Sequence, residues 1–158
     1  MPFYENSVRN LLLSQNEEKC VYSPVNFYLC MAMLTEMTDG KTKQQLMDAL
    51  GQKDTEEIRE QSQAIWKSVY TDHLLSECIL GKSIWLNESV PFQKEVLEML
   101  AEHYYAETYQ GLMGKEMGQR IQEWVNDMTK EHIGAGSKKY SDRCSKNSIC
   151  IDVNRLLL

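Results

Sequence analysis

The sequence is poor in what catalysis and metal binding need. Its histidines, His73, His103 and His132, lie far apart among 158 residues. None belongs to an H-x-x-x-H pair or to a nucleophile signature. The five cysteines, Cys20, Cys30, Cys78, Cys144 and Cys150, are an odd set without a C-x-x-C pair. That disfavours both a disulfide framework and a closed zinc site, and the thiols read as buried or incidental, because free cysteine serves readily as a small apolar residue. With no acid-base, metal or nucleophile constellation in view, no enzyme activity and no cofactor are expected. Basic residues are also in deficit: 17 Lys and Arg face 23 Asp and Glu, for a net charge of -6 and a pI near 5.1. Clustered phosphate-neutralising charge is absent, so no nucleic-acid partner is expected. No window approaches the roughly 18 apolar residues that cross a bilayer, and "MPFYENSVRN" has no basic flank leading into an apolar run. Neither a membrane partner nor an export signal is therefore expected from these residues. Internal repeats at periods of roughly 20–50 residues are missing too, and nothing before residue 134 is low-complexity.

What remains is pattern. Hydrophobic residues make up 42% and charged residues 25%, an ordinary globular balance for one modest core. Phe3, Val8, Leu11 and Leu12 give a helical stripe that runs out in "SQNEEK", and "CVYS" follows as a short strand candidate. From Pro24 to Met33 there is then no charge at all. Ser23 can accept a hydrogen bond from the first free backbone amides, and Pro24 suits the first helical position, where its missing N–H would have had no partner. Phe27, Leu29, Cys30, Met31, Met33, Leu34 and Met37 spread around more than one face, so this helix is predicted to be enclosed on most sides. Each fully buried large side chain contributes about 1.5–3 kcal/mol, which makes the helix a core centre. Gly40 is read as its end, and Thr42 with Gln45 as a capping box opening a second helix that stops at Gly51. Asp54 and Glu57 repeat the box before a third helix that carries Ile58, Ile65, Trp66, Val69 and Tyr70.

The period then changes. "CILGKSIWLNESV" is rich in β-formers and reads as a long strand ended by Pro91. Phe92, Val96, Met99, Leu100, His103 and Tyr104 return to helical spacing, and "ETYQGL" is a short strand candidate. Met117, Ile121, Trp124, Val125, Met128 and His132 form an apolar stripe, which predicts a helix lying on a sheet face. From residue 134 to 158 neither period is clean.

Four blocks carry a resemblance: "VYSPVNFYLCMAML", "GKTKQQLMDALG", "SIWLNESVPFQKEVLEMLAEHYYAETY" and "IQEWVNDMTKEHI". Their order and spacing resemble the N-terminal portion of a serpin, over residues 1–133. The resemblance implies an α+β class and a partial serpin fold, with N-terminal helices packed around a buried helix and strands of the central sheet. Ser23 and Pro24 match the family's motif at the shutter, where that sheet parts to accept an extra strand. Thr42 matches the threonine opening the next helix, and Asn26 stands where the family usually has a second serine. "LTEMTDGKT" has lost a glycine before the turn, and Gln122 replaces an asparagine of many members. These three departures soften the case for a well-tuned shutter.

By the same resemblance the chain is a member of a serine or cysteine protease inhibitor family, extracellular, with serine-type endopeptidases among its targets. Serpins inhibit by suicide: the target cleaves an exposed loop near the C-terminus, and the loop inserts as a new strand in the central sheet. A metastable fold with a kinetic lifetime drives the insertion. The reactive-centre loop, the strands flanking the gap and the second and third sheets have no counterpart in residues 1–158, so this isolated chain is expected to be non-inhibitory. The long strand should pair with "ETYQGL" on one side and, on the other, with a strand the chain lacks, leaving an open apolar edge. Marginal stability, self-association or pairing with another segment would follow. The alternative is a non-inhibitory binding or scaffold module that uses amphipathic helices and an exposed strand edge. Residues 134–158 are read as an atypical tail, frameshifted or disordered: codons can be chosen for Lys138 to Leu158 such that a one-base shift resembles the missing family strand. A natural short paralogue and a fragment are the other readings.

Single residues have plain explanations. Trp85 and Trp124 are assigned to packing between sheet and helix rather than to a ligand cage. The thioether stripe of Cys30, Met31, Met33 and Met37 is adaptable filler rather than a soft-metal site. Asn87-Glu88-Ser89 is an N-glycosylation sequon, placed inside the long strand by this reading.

Overall fold

The computed structural model describes residues 2–14, 23–73, 76–129 and 149–157. Its fold is α+β, with two compact units, Met1–Ala64 and Ile65–Leu158. The turn at 15–19, the strand candidate at 20–22, His132 and the tail at 134–148 and 158 lie outside the described residues.

The first unit holds α1 (Pro2–Ser14), α2 (Pro24–Glu36), α3 (Gly40–Leu50) and the first part of α4 (Thr55–Val69). Ser23 caps α2 as expected: its backbone is extended and its hydroxyl accepts the Asn26 N–H at 3.3 Å, with Pro24 as the first helical residue. Tyr28, Leu29, Ala32 and Met33 are fully buried, whereas Phe27 is exposed and Cys30, Met31 and Leu34 keep part of their surface. The helix therefore buries one broad face. Phe3 of α1 joins it there, stacked on Phe27 at 5.8 Å and edge-on to Tyr28 at 5.4 Å.

The opening of α3 corrects the expected cap. Asp39, with extended backbone, accepts the Gly40 N–H at 2.7 Å, and Gly40 at φ +58° begins the helix rather than ending the previous one. Thr42 is already helical and exposed, so its hydroxyl stands too far along to cap. Gly51 ends α3 in the left-handed region at φ 71°, its N–H bonded to the Asp48 carbonyl at 3.1 Å and that of Gln52 to Met47 at 3.0 Å. Ahead of α4 the Asp54 carboxylate accepts the Glu57 N–H at 2.9 Å, and Glu57 reaches back to the Lys53 N–H at 3.0 Å. The box forms with its return bond one residue early.

The second unit is built on a four-stranded sheet: β1 (Thr71–His73), β2 (Ser76–Asn87), β3 (Glu107–Gly111) and β4 (Ile149–Leu157). β2 pairs with β3, as the family resemblance implies, and does so in parallel from Ser83↔Glu107 to Asn87↔Gly111. At its start the same edge pairs antiparallel with β1, from Thr71↔Cys78, and the other edge pairs antiparallel with β4, from Cys78↔Leu157 to Leu86↔Ile149. This corrects the expectation of an open edge on β2: the chain's own residues 149–157 occupy it. Their signal is visible in retrospect, since Ile149, Ile151 and Val153 alternate with Cys150, Asp152 and Asn154 before the pattern breaks at Arg155.

Five consecutive β2 residues, Lys82 to Leu86, are buried, which is why the strand reads as a near-continuous run rather than an alternation. It ends at Asn87, ahead of Pro91, in a turn closed by the Val90 N–H on the Asn87 carbonyl at 3.0 Å. Between β2 and β3 runs α5 (Lys94–Tyr104), and after β3 runs α6 (Lys115–Met128). Met117, Ile121, Trp124 and Val125 of α6 form one buried cluster with Trp85. A Cβ at Gly81 would lie 2.9 Å from Met128 Sδ and 3.3 Å from Trp124, so the glycine permits the close approach of α6 to the sheet.

Candidate functional site

Among the described residues no group of three or more His, Cys, Asp or Glu is placed to hold a metal, and no helix is long and apolar enough to cross a membrane. The free thiols Cys30 and Cys78 are half-buried and buried. Attention therefore falls on the positions that the resemblance singles out and on the polar groups the fold buries.

Ser23, Pro24 and Asn26 come together at the start of α2, where the Ser23 hydroxyl holds the Asn26 N–H and the Ser23 carbonyl accepts the Phe27 N–H at 3.1 Å. Thr42 stands apart, exposed on the first turn of α3. Further along α2, Tyr28 donates its hydroxyl to Gln61 Oε1 at 3.1 Å, and Gln52 Nε2 donates to the same oxygen. Burial pushes the Tyr28 hydroxyl up to about 12, with the Gln52 hydrogen bond opposing it and Tyr4 adding to it. At the end of α2 the buried Glu36 carboxylate takes a forked pair from Arg59 of α4, Nε at 2.7 Å and Nη2 at 3.0 Å. The nominally uncharged helix thus closes on an ion pair, which its run from Pro24 to Met33 does not reveal.

In the second unit, Trp85 and Trp124 belong to the same buried cluster. Trp85 stacks on Tyr109, its partner across the parallel ladder, at 4.2 Å and 12°. The Arg120 guanidinium lies 5.9 Å and 5.8 Å from these two ring centres. Glu107 Oε2 accepts the Trp124 indole N–H at 3.0 Å and the Tyr109 hydroxyl. Desolvation, the Glu107 bond and the Glu107 charge together push Tyr109 up to about 12. Beside this layer an open cavity of about 310 Å³ is lined by Glu88, Gln110, Leu112, Glu116, Met117 and Arg120.

Sequence reasoning passed over Lys82. It is 1% exposed in the middle of β2, with its ammonium 5.7 Å from the centre of the Tyr105 ring. Tyr105 in turn stacks on Trp66 at 4.3 Å, and Trp66 on Tyr70 at 4.6 Å. Tyr105 is the one non-glycine residue with positive φ, 52°, among the described residues, at the point where α5 closes. A lysine inside a β-rich run could have been noticed; the strained tyrosine has no sequence signal. These arrangements pack, cap and neutralise.

Comparison with known proteins follows the fold. The family model described as serpin (serine protease inhibitor) matches residues 3–147, running past residue 133. No curated protein sequence matches the chain significantly. Among solved structures, a serpin of Manduca sexta, Serpin-12, is similar over 99% of this chain and 43% of its own, with TM-score 0.84 and 14% identity. Emu ovalbumin is similar over 99% and 44%, with TM-score 0.84 and 13% identity. The native, stressed form of Arabidopsis AtSerpin1 covers 98% and 41%, with TM-score 0.81 and 17% identity. The chain spans about two fifths of the length of these structures.

Proposed function

The chain belongs to the serpin family, and we propose that residues 1–158 are an N-terminal portion of that protease-inhibitor fold which does not inhibit by itself. The observation that supports this reading is the extent of the likeness: nearly all of this chain, but about two fifths of each serpin structure. In the family the loop that a protease cleaves stands near the C-terminus, beyond the portion represented here. The reading assigns the chain no catalytic step of its own and places it outside the cell. Ser23, Pro24, Asn26 and Thr42 are proposed as its shutter positions, with the Ser23 cap as the best-formed of them.

The test is incubation with trypsin-, chymotrypsin-, subtilisin- and papain-like proteases, read on a denaturing gel. No detergent-stable complex is expected, only digestion. A covalent adduct would overturn the reading, because it requires a functional reactive loop within these residues.

A second reading rests on the sheet. Among the described residues β4 pairs with β2 alone, so its outer edge is a nine-residue row of backbone donors and acceptors. Such an edge takes up an extended strand from another chain or another copy of this one. This is the scaffold or self-association reading, moved from β2, whose edge is covered, to β4.

A further inference from the structure

The turn after β2 carries Asn87-Glu88-Ser89, the only N-x-S/T stretch in the chain. Its position is not inside the strand, as the sequence suggests, but at its end. Glu88 and Ser89 are exposed and Asn87 is half-buried. The turn is held by the Glu88 N–H on the Gly111 carbonyl and the Val90 N–H on the Asn87 carbonyl, both at 3.0 Å. The Asn87 side-chain oxygen accepts the Ser89 N–H at 3.1 Å and the Ser89 hydroxyl at 2.6 Å. Neither bond uses Asn87 Nδ2. The hydroxyl and the carboxamide that an oligosaccharyl transferase must engage together are therefore already adjacent, on a segment open to a large enzyme.

We propose that Asn87 is an acceptor site for an N-linked oligosaccharide. The donor class is an oligosaccharide carried on a polyprenyl pyrophosphate. Asn87 Nδ2 attacks its anomeric carbon, the new C–N bond replacing the C–O bond to pyrophosphate. The pyrophosphate leaves with the bonding electrons, and one Nδ2 proton passes to a base of the transferase. The Ser89 hydroxyl, donating to Oδ1, polarises the carboxamide and makes that proton easier to lose. The attached sugar would stand next to Leu112, which follows the ladder partner Gly111 and is 71% exposed, and would cover an apolar side chain otherwise left in water.

The proposal rests on the extracellular reading for its biological setting, but its test does not. The full chain is expressed in eukaryotic cells behind a cleavable export signal, with a second acceptor tripeptide appended at its C-terminus to report entry into the lumen. Expected are two glycans, both removed by peptide N-glycosidase. Asn87→Gln and Ser89→Ala each lose one, while Ser89→Thr keeps both. Release in heavy-oxygen water should mark Asn87 by conversion to aspartate. Because sugars are added as the chain enters, lumenal extracts serve even when a variant folds poorly. Modification of the appended tripeptide with Asn87 bare would overturn the proposal. Native material that proves never to be exported would instead remove the extracellular reading.

Discussion

Lys82 is the residue on which the second unit's pH response should turn. Its ammonium is buried, with no hydrogen-bond partner among the described residues, and burial lowers its pKa from 10.5 to about 8. Between those values the unfolded chain binds more protons than the folded one, so stability rises with pH across that window. Two tyrosine hydroxyls work oppositely. Tyr28 and Tyr109 are raised from 10.0 to about 12, so their contribution is complete below pH 10 and is lost toward pH 12. The unfolding free energy from urea titrations should therefore climb from pH 8 to about 10 and then fall. Lys82→Met should flatten the climb and stabilise the chain at pH 7 by up to about 3.5 kcal/mol, the worth of a shift of this size at about 1.4 kcal/mol per unit. A climb that persists in the variant would assign it to another group. Arg59 is the contrasting case, because it supplies both prongs of the pair on Glu36, whose side chain is 2% exposed. Arg59→Met should cost about 3 kcal/mol in the same assay. Lys94→Ala, which breaks the fully solvated pair with Glu98, should leave the transition where it was.

At the scale of elements, caps decide where helices begin, and two candidates for α3 can be separated by experiment. Asp39→Ala should lower stability by about 1 kcal/mol, the usual worth of a capping side chain, whereas Thr42→Ala should change little. Equal losses, or the reverse order in thermal or urea unfolding, would return the cap to Thr42. The start of α2, the stop at Gly51, the box before α4 and the stripe of α6 were all legible, because each is local or strictly periodic, whereas the pairing of β2 with β3 was legible only through the family resemblance. Three features were not. β1 is three residues long and exists because β2 is there to pair with it. β4 carries only six clean residues of alternation before Arg155, too few to stand out after a polar stretch. Asp39 and Thr42 each stand ahead of the same apolar run, and sequence alone does not choose between overlapping caps. The shutter positions were legible only through family resemblance, whereas Lys82 and Glu36 required knowledge of which surfaces are covered.

For the whole molecule the governing question is what finishes the sheet. Ser83 to Leu86 pair with β3 and with β4 at once, so these two strands must lie on opposite edges of β2, and among the described residues β4 is the outermost strand on its side. Its pairing spans nine residues of β2, Cys78 to Leu86, of which Cys78, Leu80 and the run from Lys82 to Leu86 are buried. Removing it would expose an apolar edge far more adhesive than β4's own. A chain cut after residue 148 should therefore unfold at lower urea than the full chain. At equal concentration it should also sediment as larger species, while the full chain shows a milder, concentration-dependent association through β4 itself. If the shortened chain stays monomeric with an unchanged transition, β4 does not hold this edge. If the full chain is a monomer with a sharp transition at every concentration, the outer edge of β4 is not an interaction surface, and the scaffold reading fails with it.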